Sequence, residues 1–154
     1  MEIERKYLID KDNIPFIPAD YPCRHIEQGY LCVEPVVRIR RDNDDYFLTY
    51  KSKGLMVREE YNLPLTAESY AHLRNKIDGR LIVKDRYVIP LSDENDNTQL
   101  YIELDFFAGD LEGLILAEVE FPNEETANSF IPPSWFGEDV TCSSRYHNSN
   151  LSRG

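Results

Sequence analysis

The 154-residue chain is 42% hydrophobic and 12% aromatic, a composition typical of a globular protein rather than a disordered one. Its net charge of −11 argues against nucleic acid and anionic membranes as general partners, and no apolar run is long enough to span a membrane. The length suits one domain, which we expect to cover residues 1–154. Because the net charge is −11, any anionic ligand must meet a local cluster of positive charge within a negative molecule.

Alternating polar and apolar side chains predict strands along the first half of the chain. In residues 1–9, Glu2, Glu4 and Lys6 alternate with Ile3 and Tyr7, as in a half-buried strand whose successive side chains leave opposite faces. Prolines exclude a long helix from the irregular segment that follows. The further strands predicted in this half are residues 26–33, 36–41, 46–51 and 57–63.

The second half combines two helices with three more strands. Thr66 is a good N-cap for a helix that we expect to end at Asp78–Gly79, and a short helix is predicted to begin at Asn123. The strands predicted here are residues 81–90, 100–106 and 114–121, with a hairpin loop at Ser92–Thr98 between the first two. The tail from Trp135 onward is predicted to be a loop with a final helical turn.

About eight strands in hairpin-like order, with few helices, predict a mainly β (α+β) fold. The architecture that fits is a closed or nearly closed eight-stranded antiparallel barrel with peripheral helices.

The charged residues of these strands are paired by sign. The acidic pairs are Glu2/Glu4, Glu103/Asp105 and Glu118/Glu120, the basic pairs are Arg38/Arg40 and Lys84/Arg86, and Lys6, Lys51 and Arg58 extend the basic set. A solvated face has no need for like charges two residues apart, because such side chains share one face and repel each other. Pairs of this kind indicate that something of opposite charge lies between them: metal ions for the carboxylates and a polyanion for the bases.

This combination predicts phosphate chemistry. Several converging carboxylates without His or Cys form a hard-oxygen site suited to Mg²⁺ or Mn²⁺ rather than Zn²⁺. Converging Lys and Arg side chains can hold a chain of phosphates. A metal ion beside a group of cationic side chains is typical of sites for phosphoryl transfer, and a metal-activated water is the expected nucleophile.

The remaining candidates for chemistry are interpreted as structural. His25, His72 and His147 are scattered along the chain. The three cysteines, Cys23, Cys32 and Cys142, lack CxxC or CxxH spacing. Reduced thiols and the absence of a signal peptide before the first strand predict a cytoplasmic location.

Glu2-Ile-Glu4-Arg-Lys6 resembles the ExExK signature of the CYTH superfamily, the triphosphate tunnel metalloenzymes, and the resemblance covers essentially the whole chain. The other motifs that match in order are Arg38-Ile-Arg40, Phe47 to Lys51, Arg58-Glu-Glu60, Lys84-Asp-Arg86, Glu103-Leu-Asp105, Glu118-Val-Glu120 and Val140-Thr to Arg145-Tyr146. The resemblance implies an eight-stranded tunnel that holds a triphosphate and divalent metals, and it is strongest to the compact bacterial inorganic tripolyphosphatases. Cys142-Ser-Ser144 departs from the family pattern, where relatives often carry an acidic residue.

The resemblance also implies roles for individual residues. The expected metal ligands are Glu2, Glu4, Glu103, Asp105, Glu118 and Glu120. The expected phosphate-binding residues are Lys6, Arg38, Arg40, Lys51, Arg58, Lys84, Arg86 and Arg145. Lys84 is also a candidate acid/base, Glu2 and Asp105 are the other catalytic candidates, and Glu60 would orient the cations.

The expected reaction is hydrolysis of inorganic tripolyphosphate to pyrophosphate and phosphate. One alternative is another enzyme with the same site: a thiamine or nucleoside triphosphatase, or a class IV-type adenylyl cyclase. A second alternative is a non-catalytic polyphosphate-binding module, which would not need the carboxylate pairs. The expected partner is a small-molecule polyphosphate, and a homodimer is left open.

Overall fold

The computed structural model describes residues 1–92 and 99–153, and its framework is one antiparallel sheet of ten strands. The strands are β1 Glu2–Ile9, β2 Cys23–Val33, β3 Val36–Asp42, β4 Asp45–Lys51, β5 Val57–Arg58, β6 Glu60–Leu65, β7 Asp78–Ser92, β8 Gln99–Phe107, β9 Ile115–Glu120 and β10 Phe136–Asp139. The predicted hairpin loop at Ser92–Thr98 lies outside the described residues except for Ser92, the last residue of β7.

The sheet curls into a nearly closed barrel. Its strands run in the order β10-β1-β9-β8-β7-β2-β3-β4-β6, and β5 brings the far end back to β1 by placing Arg58 opposite Glu2. Only Glu59 separates β5 from β6, so the two strands count as one interrupted strand in a ring of eight positions. The predicted eight-stranded antiparallel barrel is thus confirmed, although the strand predicted at 57–63 is divided.

The helices are short and lie outside the sheet. They are α1 Ala67–Arg74, α2 Glu124–Ser129 and α3 Asn148–Leu151, with 3₁₀ turns at Lys11–Asn13, Pro18–Asp20, Gly109–Leu111 and Ser144–Tyr146. Thr66 caps α1 and Asn123 caps α2, each by accepting a backbone N–H bond three residues on. The prediction that the helix ends at Asp78–Gly79 was wrong, because α1 ends at Arg74 and both residues belong to the start of β7. Within the described residues, no helix is both long and apolar enough to cross a membrane.

A large apolar core lies on the outer face of the barrel wall. Tyr7, Leu104, Ala117 and Val119 are almost completely buried there, although they alternate with charged residues along their strands. The segments that cover them include the aromatic residues Phe16, Tyr21, Phe130, Trp135 and Phe136. This packing stabilises the barrel from outside and leaves the inner face of the same strands to polar groups.

The C-terminal tail is more structured than predicted. Its β10 pairs with β1, which corrects the prediction of a loop at Phe136–Asp139. Asp139 accepts a bond of 2.6 Å from Arg5, a long-range contact that no local pattern indicates.

The end of the tail is fixed to the start of β7. Arg80 donates its backbone N–H to the Ser152 carbonyl at 2.6 Å and its Nε to the Leu151 carbonyl at 2.8 Å. Gly79 has a φ of 71°, and a Cβ at this position would lie 2.3 Å from the Ser152 oxygen, so the close approach requires glycine. Leu151 packs with Tyr30 and other buried side chains of the barrel, so the tail covers part of the interior.

Candidate active site

A polar cavity of about 270 Å³ lies inside the barrel. Most of the residues predicted to form the site line this cavity: Glu2, Glu4, Lys6, Arg38, Arg40, Lys51, Arg58, Glu60, Arg86, Glu103, Glu118 and Glu120. They meet there because alternate residues of each strand point inward.

Lys84 and Asp105 do not line the cavity but form a buried ion pair. Lys84 Nζ lies 2.7 Å from an Asp105 carboxylate oxygen, and their side chains are 0% and 1% exposed. Arg86 donates two bonds to the same carboxylate, at 2.7 and 2.9 Å. Burial, and after it the neighbouring Arg86, lowers the pKa of Lys84 to about 8. Arg86 lines the cavity, whereas Lys84 and Asp105 are buried beside it. The ion pair of Lys84 and Asp105 therefore lies behind Arg86, as seen from the cavity.

Arg145 is not brought to the cavity. Its side chain is exposed, and its guanidinium lies 5.3 Å from the ring centroid of Tyr146. The tail instead contributes His147, Asn148 and Ser149 to the lining. Sequence analysis missed these three because their position depends on the docking of the tail onto β7.

Five carboxylates of the lining lie within 4.0 Å of a cationic nitrogen: Glu2, Asp42, Glu60, Glu103 and Glu118. Lys6 Nζ lies 3.3 Å from Glu118, and Arg86 Nη1 lies 2.8 Å from Glu103. Burial alone would raise the pKa of Glu118, but Lys6 and Arg86 hold it well below its usual value. Glu2 accepts bonds of 3.1 Å from Lys51 at both oxygens. These contacts fix the cations in place at the wall of the cavity.

Glu2 nevertheless lies in an environment that disfavours its charge. Burial, followed by the neighbouring Glu4, raises the pKa of Glu2 to about 8. Lys51 also lies 3.8 Å from Glu60, so this one ammonium serves two carboxylates. Arg58 Nη2 also lies 3.9 Å from Glu2, so two cations and the carboxylates of Glu4 and Glu60 surround Glu2.

Glu4 and Glu120 are the carboxylates that lack a cation. They are opposite each other on β1 and β9, and within residues 1–92 and 99–153 neither has a Lys, Arg or His nitrogen within 4.0 Å. Burial and Glu118 raise the pKa of Glu4, and partial burial and Glu103 raise that of Glu120. Two adjacent carboxylates without a cationic partner are suited to binding a hard divalent cation.

Arg38 and Arg40 show the opposite imbalance. Arg40 donates to Gln28 Oε1 at 2.8 and 2.5 Å, and Arg38 donates to Thr49 at 3.3 Å. Among the described residues, neither guanidinium has a carboxylate within 4.0 Å. Burial and Arg38 lower the pKa of Arg40 to about 9. Two adjacent guanidinium groups without a counter-ion fit a polyanion such as a phosphate chain.

Fold and cavity together define a β-barrel protein that can hold a polyanion beside a cation, and proteins of known activity are similar to this chain in sequence and fold. An inorganic triphosphatase of Nitrosomonas europaea is 40% identical over 153 residues, which cover 97% of this chain and 95% of that protein. An inorganic triphosphatase of Acetivibrio thermocellus is 34% identical over 155 residues, covering 97% and 92%. No protein-family model matches the chain.

Solved structures agree with these relatives. The crystal structure of the inorganic triphosphatase NE1496 matches with a TM-score of 0.69 at 35% identity, over 100% of this chain and 95% of that one. A putative adenylate cyclase from Bacillus halodurans shares the fold, with a TM-score of 0.54 at 16% identity over 94% and 97%. The chain belongs to the inorganic triphosphatase family of the CYTH superfamily, the triphosphate tunnel metalloenzymes.

Proposed function

We propose that this chain hydrolyses inorganic triphosphate to pyrophosphate and phosphate. The proposal rests on two pairs of side chains in one cavity, one basic and one acidic, whose charges lack partners among the described residues. Arg38 and Arg40 lack carboxylate partners among the described residues, and Glu4 and Glu120 lack cationic ones. A phosphate chain with a divalent cation would satisfy both pairs at once. The activity named for the two relatives supports the same substrate class.

The size of the cavity supports a substrate without a large organic group. Its volume of about 270 Å³ falls just below the range of roughly 300–1,000 Å³ that is typical of sites for drug-sized ligands. Charged side chains surround it, so recognition would depend on the length and charge of a phosphate chain.

We further propose Mg²⁺ or Mn²⁺ as the cofactor, held by Glu4 and Glu120, with Glu2, Glu103 and Glu118 nearby. Carboxylate oxygens are the ligands that these hard cations prefer. When bound, the metal would neutralise phosphate charge and make a water molecule easier to deprotonate.

The protein side chains would then position the substrate. Arg38 and Arg40 would bind phosphate oxygens, and Lys6, Lys51, Arg58 and Arg86 would add positive charge from the opposite sides of the cavity. Asp105 and Lys84 would hold Arg86 in its orientation through the buried ion pairs. The role of Lys84 as an acid or base stays a prediction, as does a role for Arg145.

A triphosphate with an organic group is the second candidate substrate. A depression of about 470 Å³ shares Arg24, Glu103 and Glu120 with the cavity and is lined by apolar residues that include Tyr101 and Phe121. An aromatic surface beside a phosphate site could receive a nucleoside or thiamine group.

One experiment separates these candidates. Tripolyphosphate, ATP, thiamine triphosphate and pyrophosphate would each be incubated with the protein and Mg²⁺ or Mn²⁺, and phosphate and nucleotide products would be identified. We expect tripolyphosphate to be the preferred substrate. Preference for ATP or thiamine triphosphate would favour the second candidate, cyclic nucleotide would indicate a cyclase, and binding without turnover would indicate a polyphosphate-binding module.

We also infer a cytoplasmic location and no nucleic-acid partner. The three thiols are all free, as in reducing compartments, and the net charge of −11 opposes nucleic-acid binding.

A further inference from the structure

A second group of possible metal ligands lies on the outer surface of the barrel. Cys23, His25 and Asp85 each place one ligand atom within 4.8 Å of the other two. Cys23 and His25 are two residues apart on β2, and their side chains share one face of that strand. In the register of β2 with β7, His25 is directly opposite Asp85 and Cys23 is opposite Tyr87. The strand pairing, rather than a flexible loop, therefore holds the three side chains together.

We propose that Cys23, His25 and Asp85 form a second metal site that binds Zn²⁺ or a similar transition metal. This site goes beyond the proposed triphosphatase activity, and it differs from the carboxylate site in the cavity by containing a thiol and an imidazole. Thiolate and imidazole ligands select Zn²⁺ over the hard cations Mg²⁺ and Ca²⁺. Three protein ligands would leave a fourth tetrahedral position for water.

The three side chains would rearrange on the surface to bind a metal. Metal–ligand lengths of roughly 2.0–2.3 Å place the ligand atoms of a tetrahedral Zn²⁺ site about 3.3–3.8 Å apart. The ligand atoms all lie within 4.8 Å of one another, and His25 Nδ1 is hydrogen-bonded to Asp85, so a metal would replace this hydrogen bond while changes in side-chain rotamers bring the three atoms to tetrahedral separations. The side chains of His25 and Asp85 are 77% and 45% exposed, so a metal can reach the site directly from solvent.

The same three residue types occur in cysteine hydrolases, but the surroundings do not favour a nucleophile here. Partial burial and the nearby carboxylate of Asp85 raise the pKa of the Cys23 thiol, whereas a nucleophilic cysteine requires a lowered pKa. The site also lies on an open sheet surface, with the side chains of His25 and Asp85 77% and 45% exposed, whereas catalytic sites are usually concave pockets. A bound metal would reverse the effect on the thiol, because coordination favours the thiolate.

The proposed site lies on the reverse side of strands that build the cavity. Arg24, between Cys23 and His25, lines the cavity and lies 3.2 Å from Glu103. Lys84 and Arg86 flank Asp85 and belong to the buried ion-pair network. A metal at this position would cross-link β2 and β7 at the level of these cations.

The reactivity of Cys23 provides a direct test. In the variant Cys32→Ser/Cys142→Ser, Cys23 is the sole thiol, and its modification by a thiol reagent can be followed with increasing Zn²⁺ and a constant excess of Mg²⁺. We expect one Zn²⁺ per chain to slow the modification by at least about tenfold and to release a proton. Co²⁺ should give a thiolate charge-transfer absorption that Cys23→Ser abolishes.

Matched variants identify the other two ligands. In the same background, His25→Ala and Asp85→Asn should each weaken protection by Zn²⁺ at least about tenfold, whereas His72→Ala, on the exposed side of α1, should leave it unchanged. Thermal unfolding without metal would establish that each variant is folded. The proposal is overturned if Zn²⁺ does not protect Cys23, if protection survives loss of His25 and Asp85, or if one Zn²⁺ bridges two chains.

Discussion

Glu4 and Glu120 face each other across β1 and β9, and neither carboxylate has a cationic partner among the described residues. Carboxylates in this arrangement repel each other, and a bound cation would allow both to stay ionised at neutral pH. We therefore expect Glu4→Gln and Glu120→Gln each to reduce triphosphate hydrolysis at least about 100-fold at limiting Mg²⁺. The metal-free melting temperature should stay the same or rise, because the change removes repulsion.

The exposed residue Glu112 provides the control, and Glu112→Gln should retain activity. Hydrolysis by Glu4→Gln at the wild-type rate under limiting Mg²⁺ would contradict the assignment of this residue as a metal ligand.

Arg40 should contribute to ligand binding much more than to folding. Its side chain bonds only Gln28 among the described residues, and the adjacent Arg38 opposes its charge. Arg40→Ala should diminish the rise in melting temperature produced by tripolyphosphate, while the ligand-free protein changes by no more than about 1 kcal/mol. A collapse of ligand-free stability, measured by urea unfolding, would show that Arg40 is structural.

Arg86 should behave differently, because its contacts are to buried carboxylates. Its guanidinium donates two bonds to Asp105 and one to Glu103. Removing it in Arg86→Ala leaves the Asp105 charge with Lys84 alone, and we expect a loss of about 3–5 kcal/mol in the free energy of unfolding. Equal stabilities of Arg86→Ala and Arg40→Ala would refute this distinction.

Asp139 should make the attachment of the tail depend on pH. Burial alone would raise the pKa of its carboxyl, but bonds from Arg5 and Thr141 lower it below the usual value. A lowered pKa in the folded state means that the contribution is complete above roughly pH 4, the value in the unfolded chain, and disappears as the pH falls through the folded value.

The variant Asp139→Asn should therefore lower the melting temperature most at neutral pH, with the difference from wild type shrinking below about pH 4. Asp20→Asn, at an exposed position, is the control and should show no such trend. A difference independent of pH would show that the charge of Asp139 is not responsible.

Substrate choice should follow the length of the phosphate chain. Pyrophosphate is one phosphate short and would leave buried cations unpaired, whereas an organic group adds bulk outside the charged cavity. We expect kcat/KM to fall from tripolyphosphate to nucleoside triphosphates to pyrophosphate, each step by at least about tenfold, or roughly 1.4 kcal/mol. Competition at one metal concentration measures the order, and a reversed order for ATP would exclude bare triphosphate as the best substrate.

The inward-facing charges could be predicted because a strand repeats every two residues. The spacing of Glu2, Glu4 and Lys6 was enough to place them on one face, and twelve predicted site residues line the cavity. The alternation of residues does not show, however, how deeply an inward-facing side chain is buried. Lys84 and Asp105 follow the same alternation, but their direct pairing buries both side chains behind Arg86.

The tail was predicted least well, because its structure depends on long-range contacts. The strand β10 has four residues, three of them exposed, and it forms only because β1 has a free edge. Gly79 was interpreted as a helix stop, yet its conformation accommodates the Ser152 carbonyl. The Cys-x-His spacing of residues 23–25 would have indicated a shared face had the strand been predicted to begin three residues earlier.

The apolar core on the outer face of the barrel has a consequence for how such a protein can diversify. Residues that maintain the fold, such as Leu104 and Val119, alternate along β8 and β9 with residues that face the substrate cavity, such as Glu103 and Glu118. A mutation at an inward position can therefore change ligand preference while the outer packing is preserved. Under selection, one scaffold could acquire new substrates through few substitutions at inward positions such as Arg40, whose side chain bonds only Gln28 among the described residues.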